Sequence, residues 1–203
     1  MSEPQIVAFL VAVGFAAGLN VYATTAVLGL LGRTDLLVLP GSLGAIESWW
    51  VIGVCLALWA VEFIADKIPA FDVVWNLGSS LVRIPVAGVI GYAGAADLEP
   101  GMQVLASAAG AVLAALAASG KAATHASVAP SPEPFSNIAL SLAEDATAVF
   151  LVWFATAHPV LAALIAIALA IAVVLLVRTV WRVVRRTIQR VRESRRATEL
   201  VDT

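Results

Sequence analysis

The sequence predicts an all-α protein, a polytopic helix bundle embedded in a membrane. Three observations predict it. Of 203 residues, 61% are hydrophobic and only 13% are charged, about half the charged share of a soluble domain. The mean hydropathy is +0.96, more apolar surface than a soluble domain can cover. The charges are also segregated: eight of the 12 basic residues are arginines between Arg178 and Arg196. Disorder is excluded, because it needs low hydrophobicity and high charge. A single cysteine, Cys55, excludes a disulfide scaffold.

Six spans follow in order. The segment Met1–Gln5 carries one acid and no base, unlike the basic start of a signal peptide, so the first apolar run reads as a retained span. Span 1 covers Ile6–Leu31 and ends at Gly32-Arg33-Thr34-Asp35. Span 2 covers Trp49–Ile68, with Trp49 and Trp50 as interfacial anchors. The stretch Ala70–Ser80 is too short to cross and reads as an interfacial or re-entrant helix. Span 3, Arg83–Ala96, is short, and the count falls to five if it is re-entrant. Span 4 covers Met102–Lys121, span 5 Ser136–Ala157 and span 6 Val160–Val177. Residues 1–177 thus form the bundle, and 178–203 a basic helix and tail with an apolar side at Val180, Trp181, Val184 and Ile188. That tail suits anionic lipid headgroups.

Orientation follows from the bases in short loops. If the arginine tail is cytoplasmic, six spans place 11 of the 12 bases inside, with Arg33 the exception. The expected location is the plasma (cytoplasmic) membrane, multi-pass, with the C-terminus cytoplasmic.

Charge within a span costs roughly 2.5–3.5 kcal/mol at a helix centre, so the few intramembrane acids are the candidate site. Span 2 carries Glu62 and Asp66, four apart on one face that Cys55 and Trp59 extend. Span 5 carries Glu144 and Asp145, reached by a polar stripe through Asn137 and Ser141. Counted at about 1.5 Å per residue, Glu62 and Glu144 lie at similar depth, roughly 10 Å below the cytoplasmic edge. The four acids are expected to form one cluster, with Lys67, Arg83 and Lys121 as a basic rim at its mouth. The alternative is that the acids pair with Arg83 or Lys121 and only hold helices together.

In span 1, Gly14 and Gly18 form a small-xxx-small pair for close packing. Asn20 and Thr24 fall on the other side, as a ligand-facing amide and hydroxyl or as an interhelical hydrogen bond. Gly88, Gly91 and Gly94 suit close packing of span 3. The proline-rich loop before span 5 leaves Ser136 or Asn137 as a helix cap; a helix N-terminus aimed at an anion or at the acidic pair is the alternative reading. His125 is expected at the interface, and His158 at a turn.

Three segments resemble domain-of-unknown-function family 4126: Ala17-Gly18-Leu19-Asn20-Val21-Tyr22-Ala23-Thr24, Glu62-Phe63-Ile64-Ala65-Asp66-Lys67-Ile68-Pro69, and Ser131-Pro132-Glu133-Pro134-Phe135-Ser136-Asn137 followed by Glu144-Asp145. The resemblance covers most of residues 10–157. It implies a small integral membrane protein and brings no activity with it. Ala57-Leu58 before Glu62 matches Ala139-Leu140 before Glu144 in spacing, which is compatible with a three-plus-three inverted repeat.

Three functions stay open. A small transporter or channel-like protein would move a cation or a proton-coupled solute through Glu62, Asp66, Glu144 and Asp145, with Asn20 and Thr24 lining the path. A lipid- or polyprenyl-phosphate-handling protein would hold a phosphate with Lys67, Arg83 and Lys121. A scaffold or assembly subunit would use the same residues only to pair helices. No P-loop, diagnostic Cys/His spacing or G-x-S-x-G pattern is present, so enzymatic activity is not the leading expectation and no cofactor is identified. Carboxylates suit a divalent cation without specifying one. The expected partners are the bilayer and its anionic headgroups, with a homo-oligomer left open and no nucleic acid.

Overall fold

The computed structural model describes the backbone of every residue except 35, 37, 41, 129–133 and 202–203, and side chains except also 69–74, 77, 126–128, 134–137, 187–188 and 190–201. Seven helices account for most of the chain, with no strand among the described residues: α1 Glu3–Leu19, α2 Val21–Arg33, α3 Trp49–Ala65, α4 Pro69–Gly94, α5 Pro100–Val128, α6 Pro134–Ala157 and α7 Pro159–Val201. Proline opens four of them, because the first helical position needs no N–H donor and its φ suits the ring. Helices over Pro100–His125, Ile138–Ala157 and Pro159–Arg186 are long and apolar enough to cross a membrane. α1 and α3 are apolar but shorter, at 17 residues each.

α1 is the axis of the bundle. Every residue from Ala12 to Leu19 is buried, as expected of a helix that is apolar all round. It packs against α4, α5, α6 and α7. Its approach to α5 depends on small residues. A Cβ on Gly14 would lie 2.9 Å from the Gly110 Cα, and one on Gly18 would lie 2.5 Å from the Ala114 Cα. Neither side chain fits without moving backbone, so two glycines fix how near α5 can come.

Two expected elements are corrected. Span 1 is not one helix. It breaks at Asn20, which adopts an extended conformation (φ −150°, ψ 103°) between α1 and α2. The Asn20 Oδ1 accepts the Ala23 N–H at 2.9 Å and caps α2. An asparagine inside a run of apolar residues thus supplies the acceptor that a new helix start requires. Conversely, the segment 70–80 and span 3 are not separate. They form one 26-residue helix, α4, which carries Pro85 within it. At about 1.5 Å per residue α4 is about 39 Å long.

Outside the bundle, the loop after α2 folds back. The Ser42 N–H donates to the Ala93 carbonyl at 2.9 Å, and Arg33 stacks over Trp49 at 4.5 Å. α7 continues without interruption through the arginine-rich stretch, and Arg178, Arg182, Arg185 and Arg186 are solvent- or lipid-facing.

Candidate functional site

Charged and polar side chains from α3, α4, α5 and α6 meet with the α1–α2 break inside the bundle. α3 contributes Trp59 and Glu62 on one face, and Asp66 caps its C-terminus. α4 contributes Asn76 and Arg83, two turns apart. α5 contributes Lys121, Thr124 and His125, an i, i+3, i+4 set that shares one face. α6 contributes Ser141, Glu144 and Asp145.

Lys121 is the hub. Its Nζ lies 2.9 Å from Glu62 Oε1, 3.1 Å from Asp66 Oδ2 and 3.6 Å from Glu144 Oε2. The Arg83 Nη2 pairs with the same Glu62 Oε1 and lies 3.4 Å from Asn76 Oδ1. The Ser141 hydroxyl donates to Asp66 Oδ2 at 2.7 Å. Glu144 also faces His125 Nε2 at 3.4 Å and accepts from Thr124 Oγ1 at 3.4 Å.

Asp145 stands apart from the cations. Its Oδ1 accepts from Asn20 Nδ2 at 2.8 Å and its Oδ2 from the Trp59 indole N–H at 2.9 Å. The chemistry of both partners fixes the Asn20 amide: its oxygen must face the Ala23 N–H and its nitrogen the carboxylate. One side chain therefore ends α1, starts α2 and holds Asp145.

The site is buried within the protein. Glu62, Asp66 and Arg83 are each 1% exposed and Lys121 is 2%. Among the described side chains, three carboxylates (Glu62, Asp66 and Glu144) meet two cations, Arg83 and Lys121, while Asp145 lies beside them on neutral donors; with all four acids ionised and His125 neutral the formal excess is two negative charges. Buried charge is costly unless paired and hydrogen-bonded, and Glu144 and Asp145 are where the pairing is thinnest. Thr24 Oγ1, Glu62 Oε2 and Arg83 Nε are buried with no hydrogen-bond partner among the described residues. No cluster of three or more His, Cys, Asp or Glu suited to a metal ion occurs among the described residues.

The structure brings Glu62, Asp66, Arg83, Lys121 and Glu144 into contact and joins Asn20 to Asp145 beside them, but not Lys67, and Thr24 makes no side-chain hydrogen bond there among the described residues. Arg83 and Lys121 are not a rim at a mouth; they sit inside, between the acids. Lys67 is not part of the network. It is exposed, and its Nζ lies 3.7 Å over the Phe63 ring. Asn20 and Thr24 do not lie on an uninterrupted helix face, because the helix ends at Asn20. His125 is buried within the bundle, with Nε2 3.4 Å from Glu144. Asn137, the Ser136 or Asn137 cap and the proline-rich loop 130–134 lie outside the described side chains. The sequence places Trp59 on the acidic face of span 2 and Ser141 on the stripe leading to Glu144 and Asp145, without naming their contacts, and gives no site role to Thr124 or His125. The spacing of Lys121, Thr124 and His125 is the signal for those two.

No curated protein and no solved structure matches the chain. A family model described as Domain of unknown function (DUF4126) matches residues 7–179. That range contains both ends of every contact in the buried network, and the chain belongs to the DUF4126 family.

Proposed function

We propose that this chain is a small multi-pass transporter of the plasma membrane that exchanges protons for a cation at the buried carboxylates. The observation that carries the reading is the charge imbalance among the described buried side chains: Glu62, Asp66 and Glu144 share two cations, and Asp145 beside them has neutral donors. Two negative charges in a low-dielectric interior are unfavourable unless protons or a cation neutralise them. A site that must be neutralised, and can be by either species, is the minimal requirement of exchange. The break at Asn20 supports the same reading. Interrupted helices at membrane depth are tolerated where they line a site.

The six-crossing arrangement counts α1 with α2 as one broken crossing, followed by α3, α4, α5, α6 and α7. The arginines of α7 then put the C-terminus in the cytoplasm and against anionic headgroups. A three-plus-three repeat would pair α3 with α6, whose Glu62 and Glu144 both reach Lys121; the Asn20 break has no counterpart in the continuous α5, so such a repeat would be unequal.

A phosphate-handling reading is less well supported, because Arg83 and Lys121 already pair with acids. The scaffold reading draws on the same pairs, which tie four helices together. Vesicles containing the purified protein and an internal pH dye separate the two. Exchange gives proton movement when gradients of monovalent or divalent cations are imposed in turn, and Asp145→Asn abolishes it at unchanged folded yield. A scaffold gives no protein-dependent flux with any cation.

A further inference from the structure

The outer flanks of α3 and α6 do not close on each other. Between them runs a groove of about 620 Å³, within the range that holds a drug-sized molecule. Four aromatic side chains line it: Trp59 and Phe63 from α3, Phe150 and Trp153 from α6. Among the described residues that line it, Asp145 alone is ionisable. Asp145 is 6% exposed, and its carboxylate is held by Asn20 and Trp59. Ala146 contributes a small, exposed step in the wall.

We propose that this groove is a binding site for lipophilic organic cations, molecules with an apolar or aromatic body and one positive charge. Charge complementarity selects this occupant. Asp145 in the wall and the described network behind it together hold two more carboxylates than cations, so a phosphate or carboxylate headgroup is repelled. Arg83 and Lys121 do not line the groove and are paired elsewhere. The aromatic walls match an apolar body, and their ring faces attract a cation. Phe63 already carries the Lys67 ammonium over its ring. Asp145 would supply the counter-charge at the point where groove and network meet. The inference extends the proton–cation exchange proposed above by naming the substrate class at Asp145.

The test uses the full chain in detergent, with tetraphenylphosphonium as probe and protein-free micelles as blank. Tetraphenylborate, of the same shape and opposite charge, is the control. The expected result is saturable tetraphenylphosphonium binding with quenching of tryptophan fluorescence, and none with tetraphenylborate. Asp145→Asn should weaken binding at least ~10-fold, the scale of one buried charge contact worth about 1.4 kcal/mol. Ala146→Trp, which fills the groove from its exposed wall, should abolish binding with unchanged thermal stability, and decides the matter if Asp145→Asn does not fold. Equal binding of the two ions, absence of saturable binding by the parent, or parental affinity in Ala146→Trp overturns the proposal and leaves the groove to bilayer acyl chains. Binding in detergent needs no gradient. Binding without vesicle flux therefore keeps the site and removes the exchange, whereas flux without binding keeps the exchange and removes this substrate class.

Discussion

Lys121→Met is the perturbation that separates a charge network from a set of incidental contacts. Methionine keeps most of the side-chain volume and removes the ammonium. In the parent, that ammonium lies 2.9, 3.1 and 3.6 Å from three carboxylates. Among the described contacts, its loss leaves Glu62 with Arg83, Asp66 with the Ser141 hydroxyl, and Glu144 with Thr124 and His125. The formal excess rises from two negative charges to three. Removing one partner of a buried pair costs about 3–5 kcal/mol. For a chain of this length 1 kcal/mol shifts Tm by about 2–4 °C, so the expected drop is roughly 6–20 °C. Thermal unfolding of the detergent-purified variant, followed by fluorescence and by recovery on size exclusion, reads it. Adding Asp66→Asn should recover part of the loss, because one stranded charge disappears and Ser141 can still donate. A drop smaller than about 2 °C, under about 1 kcal/mol on the same scale, refutes the claim that Lys121 is the hub. So does strict additivity of the two changes.

The other expectations concern different parts of the structure. Asp145→Asn should leave Tm within about 4 °C of the parent, about 1 kcal/mol, since an amide oxygen still accepts from Asn20 or Trp59; a drop as large as that of Lys121→Met would mean that Asp145 is structural. Asn20→Asp keeps a helix-capping acceptor but sets a second carboxylate against Asp145, so its folded yield should fall well below that of Asn20→Ser, and equal yields would count against the 2.8 Å contact. Gly18→Leu should cost about 1–3 kcal/mol or prevent folding, because its Cβ alone meets the Ala114 backbone at 2.5 Å; a parental Tm would show that α1 and α5 are not so close.

Much of the fold was legible because its signals are local. Apolar runs and the polar loops between them set the ends of α3, α5, α6 and α7 to within a few residues, apart from α5 and α7 running on at their C-termini. The two departures share one cause: hydropathy is a windowed average. It does not register that Asn20 supplies a cap in the middle of an apolar run, because one residue barely moves the average. It also splits α4, because Asp72, Asn76 and Arg83 lower the average although the backbone carries through. Intrahelical hydrogen bonds do not depend on which face is polar.

The site was legible in membership and less so in arrangement. The price of charge in an apolar environment singled out Glu62, Asp66, Glu144 and Asp145 from sequence. Where the cations sit depends on helix rotation and on how far a long side chain reaches. Lys67 and Lys121 look alike at the ends of their spans, yet one lies over Phe63 outside and the other reaches three acids inside. Helix rotation of this kind follows from contacts between helices, such as those of α1 with α5 at Gly14 and Gly18, which a single-helix reading does not contain.

Proton release on cation binding tests the central claim most directly. The purified full chain is placed in weakly buffered detergent solution with a pH dye, and tetraphenylphosphonium and simple metal cations are added in turn. Exchange at the carboxylate-rich network gives proton release that saturates with the bound cation in the parent and is lost in Asp145→Asn. Saturable cation binding with no release of protons, or release undiminished in Asp145→Asn, contradicts the account.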